Sequence, residues 1–523
     1  MLAKKFHVLQ RRLPVTAEAV VCVCKPRSKQ TLAVATGDVL YNPTRRTRDY
    51  SEVPGPNPIP LLGNTWRFIP FIGNYQISKL HKVTKKLHTT YGDIVKISNL
   101  LGRPDMVFLF DPAEIEKVFR SEDTLPFRPS MPSLIYYKNV LRKDFFSDIG
   151  GLIATHGEKW NIFRSKVQQQ MLQPRIAKLY IGQIEETADE FVQRIIEIKD
   201  ENDTVPADFL NEIHKWALES IAKVALDVKL GCLKDIPEDT QKLIHALDTF
   251  LKNVVILELK VPFWKIFSTP TWKEYINALD TITIVVLKHI NNALKQLDGE
   301  SVELKSDASL LKRVLAQNGN NTKLATILAL DLFLVGVDTT SASIASILYQ
   351  LSLNKDKQNI LYEELSSVLE DNRITSESYD KMPYLRACIR ETLRMYPVVI
   401  GNGRCLTKDT EILGYNIPKG TQVVFQHYVI CNSERYFDSP EKFEPERWLK
   451  ESNKNYHPFA SLPFGFGKRM CIGRRYADLE MQTLIAKIIK KFEVEYHGPK
   501  LDYYVHPMFM PNGPLTFTFK ERH

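Results

Sequence analysis

The segment around Cys471 combines residue types that can hold a metal-bound cofactor. It reads PFGFGKRMCIG, and a long helix is predicted to follow it directly. Gly465 and Gly467 allow a tight turn and a close approach to a flat ligand. The amino end of the following helix favours a thiolate. A single thiolate without a second ligand nearby suits the axial position of a heme iron better than a zinc site. A buried structural cysteine is the alternative that these residues alone leave open.

Two pairs of polar residues elsewhere in the chain have helical spacing. Glu391 and Arg394 are three residues apart, so they can pair on one helix face, with an exposed surface ion pair as the alternative. Trp160 and Arg164 are four residues apart. Their indole N–H and guanidinium therefore point the same way, and both can donate to one carboxylate.

A long apolar run, ATILALDLFLVGVDTTSASIASILYQL, contains an acid beside an alcohol. The pattern predicts a central helix that carries Asp338 and Thr339. Polar groups in such a helix can serve proton transfer. The alternative is that they only cap or kink a core helix.

These segments resemble the cytochrome P450 family. PFGFGKRMCIG is similar to its heme-binding signature, ETLR to its E-x-x-R motif, and FEPERW to the motif that follows it. WNIFR is similar to the helix that meets a heme propionate, and GVDTT to the oxygen-activation motif. The motifs occur in family order from about residue 50 to the end of the chain. Val335 departs from the pattern, because relatives usually have alanine or glycine there, and we expect it to narrow the distal pocket or redirect the substrate.

The resemblance implies a mainly α fold with a small β-sheet region, in a single large heme domain. The implied cofactor is heme b, with Cys471 as the axial ligand of the iron. The implied heme-binding residues are Cys471, Trp160, Arg164, Arg404, Arg469, Phe464 and Gly465. Glu391 and Arg394 are implied to form a structural triad with Arg447 that holds the cysteine loop in place.

The resemblance also assigns roles around the predicted central helix. Asp338 and Thr339 are implied to deliver protons during oxygen activation, while Gly336 leaves space for dioxygen. The implied substrate pocket is lined by Phe333, Val335, Val399 and Phe509. Core packing is the alternative for each of these four residues.

Arg386 and Arg390 lie one helical turn apart on the helix that contains ETLR. They are similar to the basic positions with which mitochondrial members dock a 2Fe–2S ferredoxin, itself reduced by NADPH-ferredoxin reductase. Arg474 and Arg475 would extend this basic face. Charge pairing of this kind gives fast, weak and salt-sensitive encounters. A solvated basic face is the alternative.

The first residues, MLAKKFHVLQRRLP, place apolar side chains on one helical face and basic residues off it. Such an acid-poor, amphipathic start is typical of a mitochondrial transit peptide, with a disordered tail as the alternative. We therefore predict a transit peptide and flexible lead-in over residues 1–50 and a heme-thiolate monooxygenase domain over 51–523. The predicted location is the matrix side of the inner membrane.

Charge and hydropathy exclude several other classes. The net charge is +9, but residues 1–50 hold ten basic and three acidic residues, which leaves about +2 for the other 473. Nucleic-acid binding is therefore not supported. No run of about 18 apolar residues occurs, so no transmembrane helix is predicted. The apolar segment 250–268 is either a peripheral contact with the inner membrane or an ordinary core helix.

Periodicity predicts which elements surround these motifs. Long helical patterns cover 177–200, 207–228, 272–297, 323–353 and 474–492. Short strands are predicted at 94–98, 106–110, 412–416, 421–425 and 515–519. One large helical body with a small sheet fits this order better than separate domains.

The resemblance implies a monooxygenase that inserts one atom of O2 into a lipophilic substrate, either a xenobiotic or an endogenous lipid. YYKNVLRKDFF and RETLRMYPVVIGNGR are most similar to the insect mitochondrial group, so an ecdysteroid or sterol hydroxylase remains open. A heme-thiolate isomerase is a rival, against which Asp338 and Thr339 count. A non-catalytic heme or lipid-binding protein is another, against which Arg386 and Arg390 count.

Overall fold

The structure is a computed structural model that describes residues 47–128, 131–147, 149–295, 308–369, 371–452 and 455–522. The predicted transit peptide lies almost wholly outside the described residues.

Helices form most of the described chain. The first half contains α1 (Leu80–Tyr91), α2 (Pro112–Arg120), α3 (Pro132–Tyr136), α4 (Lys143–Phe146), α5 (Gly157–Leu172), α6 (Pro174–Ala177), α7 (Ile181–Ile198), α8 (Phe209–Leu226) and α9 (Glu238–Leu259). The second half contains α10 (Pro270–Lys295), α11 (Leu310–Gln317), α12 (Thr322–Leu353), α13 (Lys355–Val368), α14 (Ser376–Asp380), α15 (Pro383–Met395), α16 (His427–Cys431) and α17 (Arg474–Lys491). A π-helical turn, Tyr137–Leu141, joins α3 to α4.

The strands are short. They are β1 (Ile94–Ile97), β2 (Met106–Leu109), β3 (Asn402–Cys405), β4 (Thr410–Ile412), β5 (Tyr415–Ile417), β6 (Gln422–Phe425), β7 (Phe492–Tyr496), β8 (Asp502–Val505), β9 (Phe509–Asn512) and β10 (Phe517–Glu521). One sheet has four strands in the order β1-β2-β6-β3, in which only β2 and β6 are parallel. The other strands pair as antiparallel ribbons, β4 with β5, β7 with β10 and β8 with β9.

Helix α12 is the centre of the helical body because it is apolar on nearly every side. The Asn321 side chain caps its amino end by accepting from the Leu324 N–H at 3.0 Å. It packs against α8 on one side and α17 on another. Among the described residues it is the one helix long and apolar enough to cross a membrane, and 72% of its apolar window is buried inside the protein.

The structure confirms the mainly α fold with a small sheet region. The predicted long helices appear within a few residues of their predicted ends. The strand predicted at 412–416 is wrong, because Leu413 and Gly414 have φ values of 48° and 76° and form the turn between β4 and β5. The apolar run there crosses a hairpin turn, which a period-two pattern does not reveal.

Candidate functional site

Cys471 follows a tight loop that ends at the start of α17. Gly465 and Gly467 have φ values of 69° and 74°, a region that favours glycine. The Cys471 N–H donates to the Phe464 carbonyl at 2.9 Å and closes the loop. The Cys471 side chain is exposed, yet the surrounding protein raises its thiol pKa by burial. The thiol therefore faces an internal opening rather than the outer surface.

Three groups around Cys471 act against the effect of burial and favour the thiolate. The Gly473 N–H approaches the sulfur, and the positive charges of Arg164 and Arg128 lower the thiol pKa. These are the groups that a thiolate ligand needs in order to remain ionised in a buried site. They only partly offset the effect of burial, so the thiol pKa stays raised, and a bound metal cation would be needed to hold the sulfur as a thiolate.

Arg164 and Arg469 lie beside the cysteine loop and are held rigidly. The Arg469 guanidinium stacks 3.6 Å from the centroid of the Trp160 ring and donates to the Pro126 carbonyl at 3.1 Å. Arg164, one turn after Trp160 on α5, donates from Nη2 to the Met470 carbonyl at 3.1 Å. Its buried Nε has no hydrogen-bond partner among the described residues. One face of Arg164 is thus left for a ligand.

Positive charge accumulates around these residues. Burial, followed by repulsion from Arg128 and Arg404, lowers the pKa of Arg469 to about 9. Burial also lowers the pKa of Arg164 to about 10. Glu122, ion-paired with Arg404, is the one acid among the strongest charges of the described residues that act on Arg469. Four arginines with one acid leave a surplus that an anionic ligand would offset.

His156 and Thr155 contribute two more unsatisfied polar atoms at this site. His156 Nδ1 and Thr155 Oγ1 are buried without a hydrogen-bond partner in the described chain. Burial and then the charges of Arg469 and Arg128 lower the His156 pKa to about 4, so the ring is neutral at physiological pH. Orphaned donors, surplus cations and an inward thiol fit a flat cofactor with two carboxylates and a metal. The residues present therefore fit heme.

The structure brings together Glu391, Arg394 and Arg447. Both nitrogens of one edge of Arg394 donate to the Glu391 carboxylate at 2.8 and 2.9 Å, and Arg447 Nε donates to it at 3.1 Å. Trp448 Nε1 adds a fourth bond at 2.9 Å. Arg394 also donates to the Cys431 carbonyl at 2.7 Å, so the network ties α15 to α16. All three ionised side chains are buried.

One stripe of α12 remains accessible. Leu332, Val335 and Thr339, at positions i, i+3 and i+7, are only partly buried, while most of the helix is fully buried. Thr339 Oγ1 donates back to the Val335 carbonyl at 3.0 Å. Asp338 Oδ1 lies 3.3 Å from His214 Nε2 of α8, and burial raises the Asp338 pKa. The acid and the alcohol are therefore both reachable, as proton transfer requires.

Gly336 lies where α12 packs closely against α8. A Cβ atom at this position would lie 2.6 Å from Cδ1 of Ile221 on α8. The glycine therefore permits this close packing, and since it is itself only partly buried, the space expected there for dioxygen stays a prediction. Spacing along one helix could not show which neighbour lies opposite.

The four predicted substrate-pocket residues differ in position. Val335 lies on the accessible stripe of α12, and Val399 is 41% exposed. Phe333 and Phe509 are 1% and 3% exposed and belong to the hydrophobic core. The ring of Phe509 packs on Tyr428 at 5.0 Å between centroids. The structure does not bring Phe333 and Phe509 to an accessible surface, so core packing describes them better.

The predicted docking arginines also differ from each other. Arg386 donates to the Tyr379 and Asp380 carbonyls at 3.0 Å each, and so closes the end of α14. Arg390 is exposed, with its guanidinium 4.6 Å from the Trp448 ring centroid. Burial first and the nearby Arg474 second lower its pKa. Arg390 and Arg474 thus form the accessible part of the basic face.

Sequence reasoning missed Arg128, His156, Glu122 and His214. His156 has a visible signal, because it precedes Trp160 by four residues, as Trp160 precedes Arg164. Arg128, Glu122 and His214 have no such spacing, since packing brings them to the site from other parts of the chain.

Comparison with known proteins identifies relatives along nearly the whole chain. A profile described as Cytochrome P450 matches residues 53–519. "Probable cytochrome P450 301a1, mitochondrial" of Drosophila melanogaster is 47% identical over 90% of this chain and 86% of its own length. "Probable cytochrome P450 49a1" of the same organism is 46% identical over 98% and 88%. "Probable cytochrome P450 12a5, mitochondrial" is 35% identical over 98% of both chains.

Proposed function

The chain belongs to the cytochrome P450 family of heme-binding monooxygenases, and from this premise we propose its electron source, compartment and substrate class. We propose that it inserts one atom of O2 into a lipophilic substrate inside the mitochondrion. Electrons come from NADPH through ferredoxin reductase and a 2Fe–2S ferredoxin. The observation that carries the proposal is the inward Cys471 thiol beside three buried arginines and the partly buried Arg128.

The residues described above divide the work of holding the cofactor. Cys471 would bind the iron, and the cysteine loop with Phe464 and Gly465 would lie against the flat ring. Trp160, Arg164, Arg404 and Arg469 would bind its two carboxylates, together with Arg128. When bound, heme supplies the oxygen chemistry, in which one oxygen atom enters the substrate and the other becomes water.

The accessible stripe of α12 supplies protons. Because burial raises the Asp338 pKa, this carboxyl takes up a proton at higher pH than a free aspartic acid does. It can therefore hold a proton close to Thr339, whose hydroxyl can rotate away from the Val335 carbonyl to pass it on. An acid with a pKa nearer the working pH is the better proton donor.

The basic face around Arg390 and Arg474 supports an acidic electron donor. Asp478 pairs with Arg474 at 3.6 Å and offsets part of the repulsion between Arg474 and the exposed Arg390, and a negatively charged partner would offset the rest. Arg474 lies directly after the cysteine loop, which brings the partner close to the cofactor. Such contacts weaken as ionic strength rises.

We place the protein on the matrix side of the mitochondrial inner membrane. The amphipathic basic start of the sequence and the word mitochondrial in the names of two relatives support the mitochondrion as the compartment. An exposed apolar surface supports peripheral membrane contact. It comprises Leu61, Phe71, Ile72, Phe263, Ile266 and Phe267. Its two segments are linked, because Leu101 N–H donates to Thr65 Oγ1 and Arg103 donates to the Lys260 carbonyl, both at 2.8 Å. Most apolar side chains of segment 250–259 are buried, so the contact would involve the following loop.

Reduction of the purified holoprotein under carbon monoxide tests the electron source without knowledge of the substrate. We expect NADPH, ferredoxin reductase and ferredoxin to produce the red-shifted Soret band of thiolate-ligated ferrous heme. The rate should fall as salt rises, and it should fall further, by about fivefold, in Arg390→Gln.

Lys242→Gln is the matched control, because Lys242 is also an exposed cation but lies on α9. Its reduction rate should equal that of the wild type. A band that appears only with dithionite would contradict the ferredoxin partner while leaving the heme assignment intact. Equal rates in Arg390→Gln and the wild type would contradict the docking face.

A further inference from the structure

His214 is the nearest charged or titratable partner of Asp338. It lies in the second turn of α8, and its Nε2 is 3.3 Å from Asp338 Oδ1. Ser341 Oγ, one turn beyond Asp338, lies 3.4 Å from the Ile213 carbonyl. Close packing at Gly336 and Ile221 fixes the other end of the helix pair. The juxtaposition of imidazole and carboxylate is therefore built into the packing of α8 on α12.

The His214 imidazole has little else to bind. Its buried Nε2 makes no hydrogen bond of good geometry within the described residues. Burial lowers the His214 pKa, and the Asp338 and Asp248 charges act against this. The charged neighbours that act on Asp338 are His214, Asp248 of α9 and His506 of the turn after β8. Asp248 is half-exposed and pairs with Lys252 at 2.6 Å. The side of the His214–Asp338 pair that faces Asp248 therefore reaches solvent.

Another aspartate on the same helix shows a different arrangement. Asp331, two turns before Asp338, accepts from the fully buried Lys138 at 2.6 Å and from the Leu152 N–H at 2.6 Å. A lysine side chain is a hydrogen-bond donor only and has no site that accepts a proton in its cationic form. A histidine partner can gain and lose a proton between about pH 5 and 8.

We propose that His214 reloads Asp338 with protons taken from solvent. The imidazolium Nε2–H passes its proton to the Asp338 carboxylate, which leaves the ring neutral and still protonated at Nδ1. The ring then turns so that the bare Nε2 takes a hydrated proton on the side of Asp248 and His506, and it turns back as an imidazolium. In the first transfer one N–H bond breaks, one O–H bond forms, and no electrons change hands. His214 acts through Asp338 and not on the substrate. This role rests on the proposed monooxygenase function.

The first test measures the pair itself and needs no turnover. The histidines of the full-length, reduced and CO-bound protein are labelled with 13C and titrated by NMR. His214→Gln and His506→Gln identify the two relevant signals. We expect Asp338→Asn to lower the His214 pKa, because the carboxylate that stabilises the imidazolium is gone. His289, a partly buried histidine on α10, should be unaffected. An unchanged His214 pKa would overturn the proposal.

The second test measures NADPH consumption at saturating ferredoxin across pH. In the wild type we expect the rate of NADPH consumption to change with pH as one histidine titrates. His214→Gln should remove this pH dependence and lower the rate by about tenfold, whereas His289→Gln should keep the pH dependence and the rate of the wild type. The rate of reduction under carbon monoxide should be unchanged in His214→Gln. A His214→Gln profile identical to the wild type would overturn the proposal.

Failure of the proposed electron source is seen separately, as the absence of ferredoxin-dependent reduction in the wild type. If His214→Gln does not fold, the Asp338→Asn titration still decides. In that case the pKa of at least one histidine other than His506 must fall, and a titration in which none does overturns the proposal.

Discussion

The carboxylates of Glu391 and Glu480 are both buried, yet their surroundings differ. Glu391 accepts from two arginines, an indole N–H and the Glu444 backbone N–H. Within the described part of the chain, Glu480 on α17 accepts from two hydroxyls, Ser220 at 2.7 Å and Thr340 at 3.4 Å. Burial raises the Glu480 pKa to about 7. The Glu391 carboxylate is part of a network of paired charges, whereas no lysine or arginine among the described residues pairs with Glu480.

The difference in partners separates carboxylates that support the structure from carboxylates that can change protonation. The network around Glu391 holds α15 and α16 in place, and its charges offset one another. Asp338 lies on the central part of α12, and Glu480 lies beside it. Neither carboxylate pairs with a lysine or arginine among the described residues, so both change protonation more easily than Glu391 does. Proton transfer therefore takes place around α12, whereas the network around Glu391 provides rigid support.

Neutralising Glu391 should produce the largest loss of stability. Glu391→Gln strands two buried guanidinium groups, at a cost of about 5 kcal/mol. We expect little folded heme protein and a much lower urea midpoint. Glu377→Gln on α14 breaks an exposed pair with Lys381 and should leave the midpoint nearly unchanged. Similar midpoints for the two variants would contradict the structural role of the network.

The buried pair of Lys138 and Asp331 tests whether α12 also contains a structural charge pair like those around Glu391. Lys138→Met leaves the Asp331 carboxylate without its cation and should cost about 3 kcal/mol in the free energy of unfolding. The double variant Lys138→Met/Asp331→Asn should recover most of this loss, because no buried charge remains. A double variant as unstable as the single one would show that the pairing of charges is not what matters there.

Neutralising Glu480 should raise the free energy of unfolding, in contrast to the two changes above, and the gain should depend on pH. Its folded pKa of about 7 lies above the ordinary value of 4.5, so folded protein binds a proton that the unfolded chain has released. Stability from this group is full below pH 4.5 and is lost as the pH rises towards 7. Glu480→Gln should therefore be more stable than wild type at pH 8, on the order of 3 kcal/mol, and similar at pH 4.5. An equal difference at both pH values, measured by urea unfolding, would refute this.

The sequence predicts most of the residues around Cys471 and Glu391 because the patterns that reveal them are local. The glycines before Cys471, the Glu391–Arg394 spacing and the Trp160–Arg164 spacing each lie within one loop or one helix. The surroundings of α12 are harder to predict. His214 meets Asp338, and Ile221 lies against Gly336, only because α8 packs there. Neither contact leaves a pattern along the chain.

The strand predicted at 412–416 and the pocket roles predicted for Phe333 and Phe509 depend on packing in the same way. The run at 412–416 has strand-like residues, but a backbone turn at Leu413 divides it. Phe333 and Phe509 have the aromatic character of a substrate pocket, but neighbouring core residues already cover them. Residue type alone does not distinguish a lining from a core.

The ligation of heme by Cys471 is the central claim, and the CO difference spectrum of dithionite-reduced protein tests it most directly. Wild type should show the red-shifted Soret band of thiolate ligation. Cys471→Ser should bind heme without that band, while Cys405→Ser, which alters another partly accessible free cysteine, should retain it. Retention of the band in Cys471→Ser, or its absence from heme-replete wild type, would contradict the account.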